Sequence, residues 1–319
     1  MGIRAVVVDP QAHGHLAFQE IDSPTPNASE ALVRVEAISL NRGEVRRVSS
    51  AAAASADSGW RPGWDLAGVV EQAAADGSGP PLGARVVGIL DSGAWAEEVA
   101  VPTEQLAELP SGVSFAQAAT LPIAGLTALW TLEHGGSLLD RTVLITGASG
   151  GVGNFACQLA RLAGARVVGV VGSAEHAAVA HEAGAHEVIV GHALAGAESF
   201  GPYHLILDSV GGQGLAAALP MLGHGGTCVI YGTTGGPQVT IDARDVYSRG
   251  GVSIYGFIIF YEMTRRPPAE DLSRLARLVA DGRLHPPIAV EASWNTIGDV
   301  AQQLTNRSFT GKAVLRIQN

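Results

Sequence analysis

The sequence predicts an α/β chain of two domains: a small β-barrel or sandwich first, then a doubly wound six-stranded parallel sheet. Three observations predict it. The first third breaks into short β-prone runs separated by Gly/Pro turns. From about residue 115, apolar strands alternate with helical stretches, the pattern of a parallel sheet covered on both faces. One of those strands runs straight into a glycine-rich turn that opens a helix. The chain has 319 residues, of which 47% are hydrophobic and 16% charged, enough for two buried cores.

The elements follow in order. The N-terminal run Ile3-Arg4-Ala5-Val6-Val7-Val8 is too short and too quickly broken for a signal peptide and reads as a first strand. Residues 31–38 alternate apolar and polar side chains, and residues 66–72, 84–90 and 94–101 are short and β-prone. The turns between them include Gly79-Pro80-Pro81 and Asp91-Ser92-Gly93. Residues 49–58, Ser-Ser-Ala-Ala-Ala-Ala-Ser-Ala-Asp-Ser, are low in complexity, and a poorly ordered loop or a lid is expected there. Residues 115–132 read as helical with a break around Pro122. Strands are expected at 142–146, 165–172, 187–190, 205–210, 227–232 and 252–257, and helices at 151–163 and 175–183. In the tail, 269–281 is an amphipathic helix, and 289–292 and 312–317 are strand-like. The last strand is expected to rejoin the first domain. The resulting limits are 1–120 for the first domain, 121–257 for the doubly wound domain, and 258–319 for the return to the first.

Composition narrows the partners. Twenty basic residues against thirty acidic ones give a net charge of −10, which argues against nucleic acid and suits solubility. No apolar run reaches the roughly 18–20 residues of a membrane helix. Cys157 and Cys228 each lie in an apolar segment and read as buried free thiols, so neither a disulfide framework nor a cysteine metal site is expected. A cytoplasmic location follows as the expectation.

The strand Thr142-Val143-Leu144-Ile145-Thr146 leads directly into Gly147-Ala148-Ser149-Gly150-Gly151-Val152-Gly153. Such glycines let the backbone turn tightly and approach a pyrophosphate without an intervening Cβ. The N–H groups and dipole of the following helix favour the phosphates. Gly147, Ser149, Gly150, Gly151 and Val152 are therefore candidate dinucleotide-binding residues. A lone glycine run is weak evidence, but here the strand before, the helix after and the second strand all agree.

The end of the second strand selects the dinucleotide. An acidic residue there would hold the ribose 2′-OH and repel a 2′-phosphate. Here Val170-Val171-Gly172-Ser173-Ala174-Glu175-His176 ends the strand without a carboxylate, and Glu175 falls beyond it. Gly172 and Ser173 offer N–H groups and a hydroxyl suited to a phosphate, so NADPH is expected. No Lys or Arg follows closely. His176 is the nearby side chain able to become cationic, and it reads equally well as a solvated helix residue.

Further motifs extend the pattern: Ser39-Leu40-Asn41-Arg42-Gly43-Glu44, Pro62-Gly63-Trp64-Asp65-Leu66-Ala67-Gly68-Val69-Val70, and Ala119-Thr120-Leu121-Pro122 leading to Leu126-Thr127-Ala128. Asp208-Ser209-Val210-Gly211-Gly212 and Gly311-Lys312-Ala313-Val314-Leu315 complete it. Together they resemble the medium-chain dehydrogenase/reductase superfamily over nearly the whole chain, in the branch of zinc-free quinone oxidoreductases and related enoyl reductases. The resemblance implies a GroES-like β-barrel catalytic domain built from both chain ends and a central Rossmann domain, with substrate and nicotinamide meeting in the cleft between. It places Asn41 near the nicotinamide ribose and the substrate, and Thr127 facing the nicotinamide. It puts Val210 and Gly211 on the cofactor side. Tyr231, Gly232 and Thr233 fall beside the ribose and nicotinamide, and Phe257 and Ile258 over the ring.

The zinc enzymes of that family carry a ligand cysteine near the position of Asn41 and a lobe with four clustered cysteines. This sequence has neither, and its histidines lack metal-ligand company, so no metal is expected. Without zinc, the polarising group for alcohol–carbonyl interconversion is missing. A quinone or enone needs less help, because its developing charge spreads to an oxygen that hydrogen-bond donors or water satisfy. Many relatives have a tyrosine a few residues after the asparagine, where this chain has Arg46. An arginine is no general acid near neutral pH. It stabilises an enolate oxygen, binds an acidic substrate group, or is a surface residue beside Arg47. Glu44 either pairs with an arginine or transfers a proton. The catalytic candidates are Asn41, Arg46 and Tyr231.

The leading reading is an NADPH-dependent reductase of quinones or α,β-unsaturated carbonyls. The alternatives are a pathway-dedicated enoyl or ketone reductase of secondary metabolism, and an NADPH-binding redox sensor without turnover. Residues 251–260 are apolar enough for an edge strand in a homodimer, or for a buried strand.

Overall fold

The structure, a computed structural model, describes residues 2–54 and 59–317. It divides into two compact units, Met1–Leu126 with Met263–Asn319, and Thr127–Glu262. The limits expected from the sequence lie a few residues upstream of both divisions.

The first unit is built on β-structure. β1 (Gly2–Val8) and β2 (Leu16–Asp22) form an antiparallel pair. β3 (Glu30–Leu40), β4 (Asp65–Gln72), β5 (Arg85–Ile89), β6 (Glu98–Pro102) and β7 (Leu106–Glu108) belong to a larger sheet, in which β3 pairs antiparallel with both β4 and β6. The alternation in β3 has its expected effect: Ala31, Val33, Val35 and Ala37 are buried on one face. The core beneath includes Leu40, Leu66, Trp95 and Val101.

α1 (Arg42–Ala54) corrects the expected loop. The alanine run carries the helix through residues 49–54, where alanine has the strongest propensity. Ser49 and Ser50 are accommodated because their hydroxyls donate back to the carbonyls of Val45 and Arg46, at 3.2 and 3.0 Å. The rest of that expectation, 55–58, lies outside the described residues. α2 (Phe115–Ala119) starts with a capping box, Ser114 with Gln117. The break expected around Pro122 is a buried π-helical turn, Leu121–Gly125.

The second unit contains α3 (Leu126–Glu133) from Thr127 onward and a six-stranded sheet: β8 (Thr142–Thr146), β9 (Arg166–Val171), β10 (Glu187–Val190), β11 (Tyr203–Asp208), β12 (Leu222–Ile230) and β13 (Ser253–Gly256). All pairings are parallel, in the order β10-β9-β8-β11-β12-β13. Counted from β8 this is 3-2-1-4-5-6, the doubly wound dinucleotide-binding arrangement. Helices α4 (Gly151–Leu162), α5 (Ala177–Glu182), α6 (Gly212–Ala218), α7 (Ala243–Tyr247) and α8 (Ile259–Met263) connect or follow the strands. α4 buries Phe155, Ala156, Leu159 and Ala160 at helical spacing. β12 starts at Leu222, five residues before the expected strand, because the glycines at 223, 225 and 226 obscure it. β13 is an edge strand, and Ile254 on it is 47% exposed. Cys157 and Cys228 are buried free thiols.

The chain returns to the first unit with α9 (Ala269–Ala280), β14 (Ile288–Ser293), α10 (Ile297–Thr305) and β15 (Lys312–Arg316). β15 pairs antiparallel with β3, setting Ala313 opposite Leu40. The sequence reading missed β2, whose polar face blurs its alternation, and α10. Among the described residues no helix is long and apolar enough to cross a membrane.

Candidate active site

Six parallel strands point their C-terminal ends to one edge of the second unit, and that edge gathers most of the expected cofactor residues; Asn41 belongs to the first unit and Thr127 to α3. Gly147, Ser149 and Gly150 follow β8, and Gly151 and Val152 open α4. Gly172 and Ser173 follow β9, and His176 closes the next short turn. Val210 follows β11, Tyr231, Gly232 and Thr233 follow β12, and Phe257 and Ile258 follow β13. In open α/β sheets ligands bind at this edge, where the strand order reverses. Here the reversal lies between β8 and β11.

The turn after β8 requires glycine at two places. Gly147 has φ +65°, and an added Cβ would lie 2.6 Å from Ser209 Oγ. A Cβ on Gly153 would sit 2.2 Å from the Gly147 carbonyl oxygen, so only glycine lets α4 start this close to the turn. Side chains lock the reversal point. Thr146 Oγ1 donates to Asp208 Oδ1 at 2.9 Å and accepts from the Ser209 N–H at 2.9 Å, while the Gly211 N–H donates to Asp208 Oδ2 at 2.7 Å. Burial pushes the Asp208 carboxyl up, and the hydrogen bonds from Gly211 and Thr146 pull against that.

A recess at this edge is lined by Thr146, Gly147, Gly172, His192, Val210 and Gly214, among others. His192 was not singled out from the sequence. It follows β10, at the same sheet edge as Gly172. Its only signal was a Gly-His pair directly after the third strand.

The first unit holds a second polar centre, around Lys312, the only lysine in the sequence. Its Nζ donates to the Leu40 carbonyl at 3.1 Å, Asn41 Oδ1 at 2.5 Å and Asp65 Oδ2 at 3.3 Å. Asp65 is fully buried and also accepts from Ser39 Oγ at 2.5 Å, Asn41 Nδ2 at 2.8 Å and the Ile123 N–H at 2.9 Å. The last bond ties β4 to the π-helical turn. Asn41 precedes α1, and Glu44 Oε1 accepts both its N–H, at 2.6 Å, and its Nδ2, at 3.0 Å. The backbone bond is half of a capping box.

Glu44 Oε2 is buried with no hydrogen-bond partner among the described residues. Burial, then the charge of Asp65, raises the Glu44 carboxyl well above its ordinary range; Lys312 and the Asn41 hydrogen bonds act the other way. Burial beside Asp65 thus favours the protonated form of Glu44. The pairing with an arginine is not what the described residues show: the partner of Glu44 is Asn41. Both Nδ2 hydrogens of Asn41 are used within the centre.

The remaining candidates are placed as follows. Thr127 is buried on α3, and its carbonyl accepts from Thr131 Oγ1 at 2.7 Å. Arg46 is exposed on α1, beside Arg47, which stacks over the Trp60 ring at 4.5 Å. The Tyr231 hydroxyl is enclosed beside Ser209 without a well-formed hydrogen bond, and burial pushes its acidity well below that of an exposed phenol. Phe257 is buried, and Ile258 is 65% exposed.

Comparison with known proteins defines the class. Residues 27–111 match the alcohol dehydrogenase GroES-like domain, and residues 151–280 match the zinc-binding dehydrogenase domain. The chain belongs to the medium-chain dehydrogenase/reductase superfamily, in its quinone oxidoreductase-like branch. It is an oxidoreductase by that kinship. Mouse quinone oxidoreductase is 31% identical over 309 residues, covering 92% of this chain and 90% of that protein. A mycobacterial protein solved in complex with NADPH superposes with a TM-score of 0.84 at 25% identity, covering 98% of this chain and 99% of the other. The CurK enoyl reductase shares the fold, with a TM-score of 0.83 at 22% identity and 99% coverage of each chain.

Among the described residues no group of three or more His, Cys, Asp or Glu side chains is placed to hold a metal ion. Where the resemblance puts a zinc-binding thiolate, this chain has the Asn41 amide, whose oxygen already accepts from the Lys312 ammonium.

Proposed function

We propose that this chain is an NADPH-dependent, zinc-independent reductase that transfers a hydride to a quinone or an α,β-unsaturated carbonyl. The observation that carries the reading is the C-terminal sheet edge of the second unit. There the glycine turn after β8 lies beside a β9 end, Gly172-Ser173, in which no acidic residue closes the strand itself; the nearest carboxylate, Glu175, belongs to the following turn and accepts from Ser173 Oγ. The residues fit the dinucleotide: a Cβ at Gly147 or Gly153 would fill the turn, and the first N–H groups of α4 have no acceptor within the helix.

Gly147, Ser149, Gly150, Gly151 and Val152 would hold the diphosphate, and Gly172 and Ser173 the adenosine ribose. Val210, Tyr231, Gly232, Thr233, Phe257, Ile258 and Thr127 would orient the nicotinamide end. When bound, reduced nicotinamide supplies the hydride. Zinc-independence rests on the donor set at Asn41, where an ammonium supplies the positive charge. Lys312 and Asp65 position Asn41, whose amide orientation they fix. Arg46 is our candidate for the charge developing on the acceptor oxygen, since its guanidinium is exposed and permanently cationic. Burial disfavours the phenolate of Tyr231, to which we assign support of the end of β12, and we assign delivery of the proton that completes the reduction to water. The β13 edge is the surface we assign to a homodimer.

Turnover of NADPH with a panel of quinones, enones and enoyl thioesters tests the reading. Consumption with a quinone or simple enone is expected, slower with NADH. Arg46→Ala should lower kcat/KM by roughly tenfold, about 1.4 kcal/mol of transition-state stabilisation. Turnover with thioesters alone would replace this reading by that of a pathway-dedicated enoyl reductase, and tight NADPH binding without turnover by that of a sensor.

A further inference from the structure

Between Arg166 and Arg244 the sequence contains neither lysine nor arginine, yet it contains six of the chain's ten histidines. Two of the six approach the turn that ends β9. His176 Nδ1 lies 3.2 Å from Ser173 Oγ. His192, just past β10, brings Cε1 and Nε2 to 3.6 Å from the point that a Cβ on Gly172 would occupy. Each of the two consecutive residues that offer an N–H or a hydroxyl at this corner therefore has an imidazole beside it.

The other ionisable groups of this corner are few. Glu175 Oε1 accepts from Ser173 Oγ at 3.0 Å and lies 3.8 Å from His176 Nε2. On the β8 and β11 side, Thr146 carries no charge, and Asp208 is fully buried and held by Thr146 and Gly211. A phosphate monoester bound here meets no permanent cation from its own stretch of chain. Within this stretch the side chain able to supply a counter-charge is imidazole, whose charge changes between about pH 5 and 8.

We propose that His192, together with His176, reads the ribose 2′-phosphate, so that the preference for NADPH over NADH is carried by imidazolium charge and strengthens as the pH falls. This rests on the dinucleotide site proposed above. The phosphate's own second ionisation, near pH 6, works against the effect at lower pH, so the useful window is roughly pH 6.5–8.5.

Dissociation constants of NADPH and NADH, measured by calorimetry on the full chain across that window, test the proposal without turnover. The NADPH constant should rise roughly three- to tenfold from pH 6.5 to 8.5, through loss of charge-assisted hydrogen bonds, while the NADH constant stays level. His192→Gln and His176→Gln should each flatten the NADPH profile in part. The double variant should remove it, whereas His186→Gln, at the other end of β10, should keep it. An NADPH constant independent of pH in the unsubstituted protein, or a pH dependence that survives in the double variant, overturns the proposal while the dinucleotide site stands. Failure to bind either nucleotide at any pH overturns the site and this inference with it.

Discussion

The turn from Gly147 to Gly153 keeps its polar groups on the backbone, the Ser149 hydroxyl apart, while the centre around Lys312 keeps them mostly on side chains gathered from β3, α1, β4 and β15. The turn has no charged side chain and depends on the absence of Cβ atoms at Gly147 and Gly153. The Lys312 centre depends on a buried ammonium, 3% exposed, placed against a fully buried carboxylate. A backbone site is damaged by added volume and a buried ionic site by unbalanced charge, so the two should fail in different assays.

The largest effect belongs to the charge. Lys312→Met keeps most of the side-chain volume but leaves Asp65 buried without its counter-ion and the Leu40 carbonyl without that donor. Removing one partner of a buried pair costs about 3–5 kcal/mol, and urea unfolding should show a loss of that size. Adding Asp65→Asn should recover much of it, since the stranded charge is then gone. A loss below about 1 kcal/mol would mean that the pair contributes no more than an exposed one, and the contrast with the turn would disappear.

Added volume should come second. Gly153→Ala puts a methyl group 2.2 Å from the Gly147 carbonyl oxygen, so the turn must move. Overpacking of this kind costs roughly 1–3 kcal/mol. The sharper readout is NADPH affinity, which should fall at least tenfold, about 1.4 kcal/mol. Unchanged affinity would show that the close start of α4 is a packing feature rather than a requirement for the diphosphate.

The same contrast explains what could be read from the sequence. The turn was legible because its residues are consecutive and its physics is local: a strand, glycines where Cβ atoms would clash, then a helix. The strands β9, β11, β12 and β13 were legible from their apolar runs, whereas the roles given to Val210, Tyr231 and Phe257 near their ends came from the family resemblance. The Lys312 centre was not, because its partners lie 247 and 271 positions away in the chain. Asn41, Asp65 and Lys312 all lay in motifs of the resemblance, but no local pattern joins them. The one available signal was compositional: a single lysine in a chain whose other basic residues are all arginine. His192 escaped for a related reason, since it reaches Gly172 only because β10 and β9 are neighbours. Residues 49–54 misled the reading because flanking serines outweighed alanine, whereas the helix absorbs those serines by back-bonding.

The smallest expected effect tests the protonation state of the Lys312 centre. Glu44 is fully buried, and its carboxyl is raised well above its ordinary value, first by burial and then by Asp65. The folded protein therefore retains a proton that the unfolded chain releases near pH 4.3. Where the folded state binds more protons, stability falls as pH rises, from the unfolded value up to the folded one. Glu44→Gln has nearly the same shape and no proton to lose. Relative to that variant, the native chain should lose stability steadily from about pH 4.5 upward and level off once the folded carboxyl titrates. Urea midpoints at pH 5, 6, 7 and 8 for both proteins read the difference directly. A gap that does not change with pH would mean that Glu44 is ionised in the fold. The centre would then carry two carboxylates against one ammonium, and Lys312→Met should cost more than the loss expected for a single stranded charge.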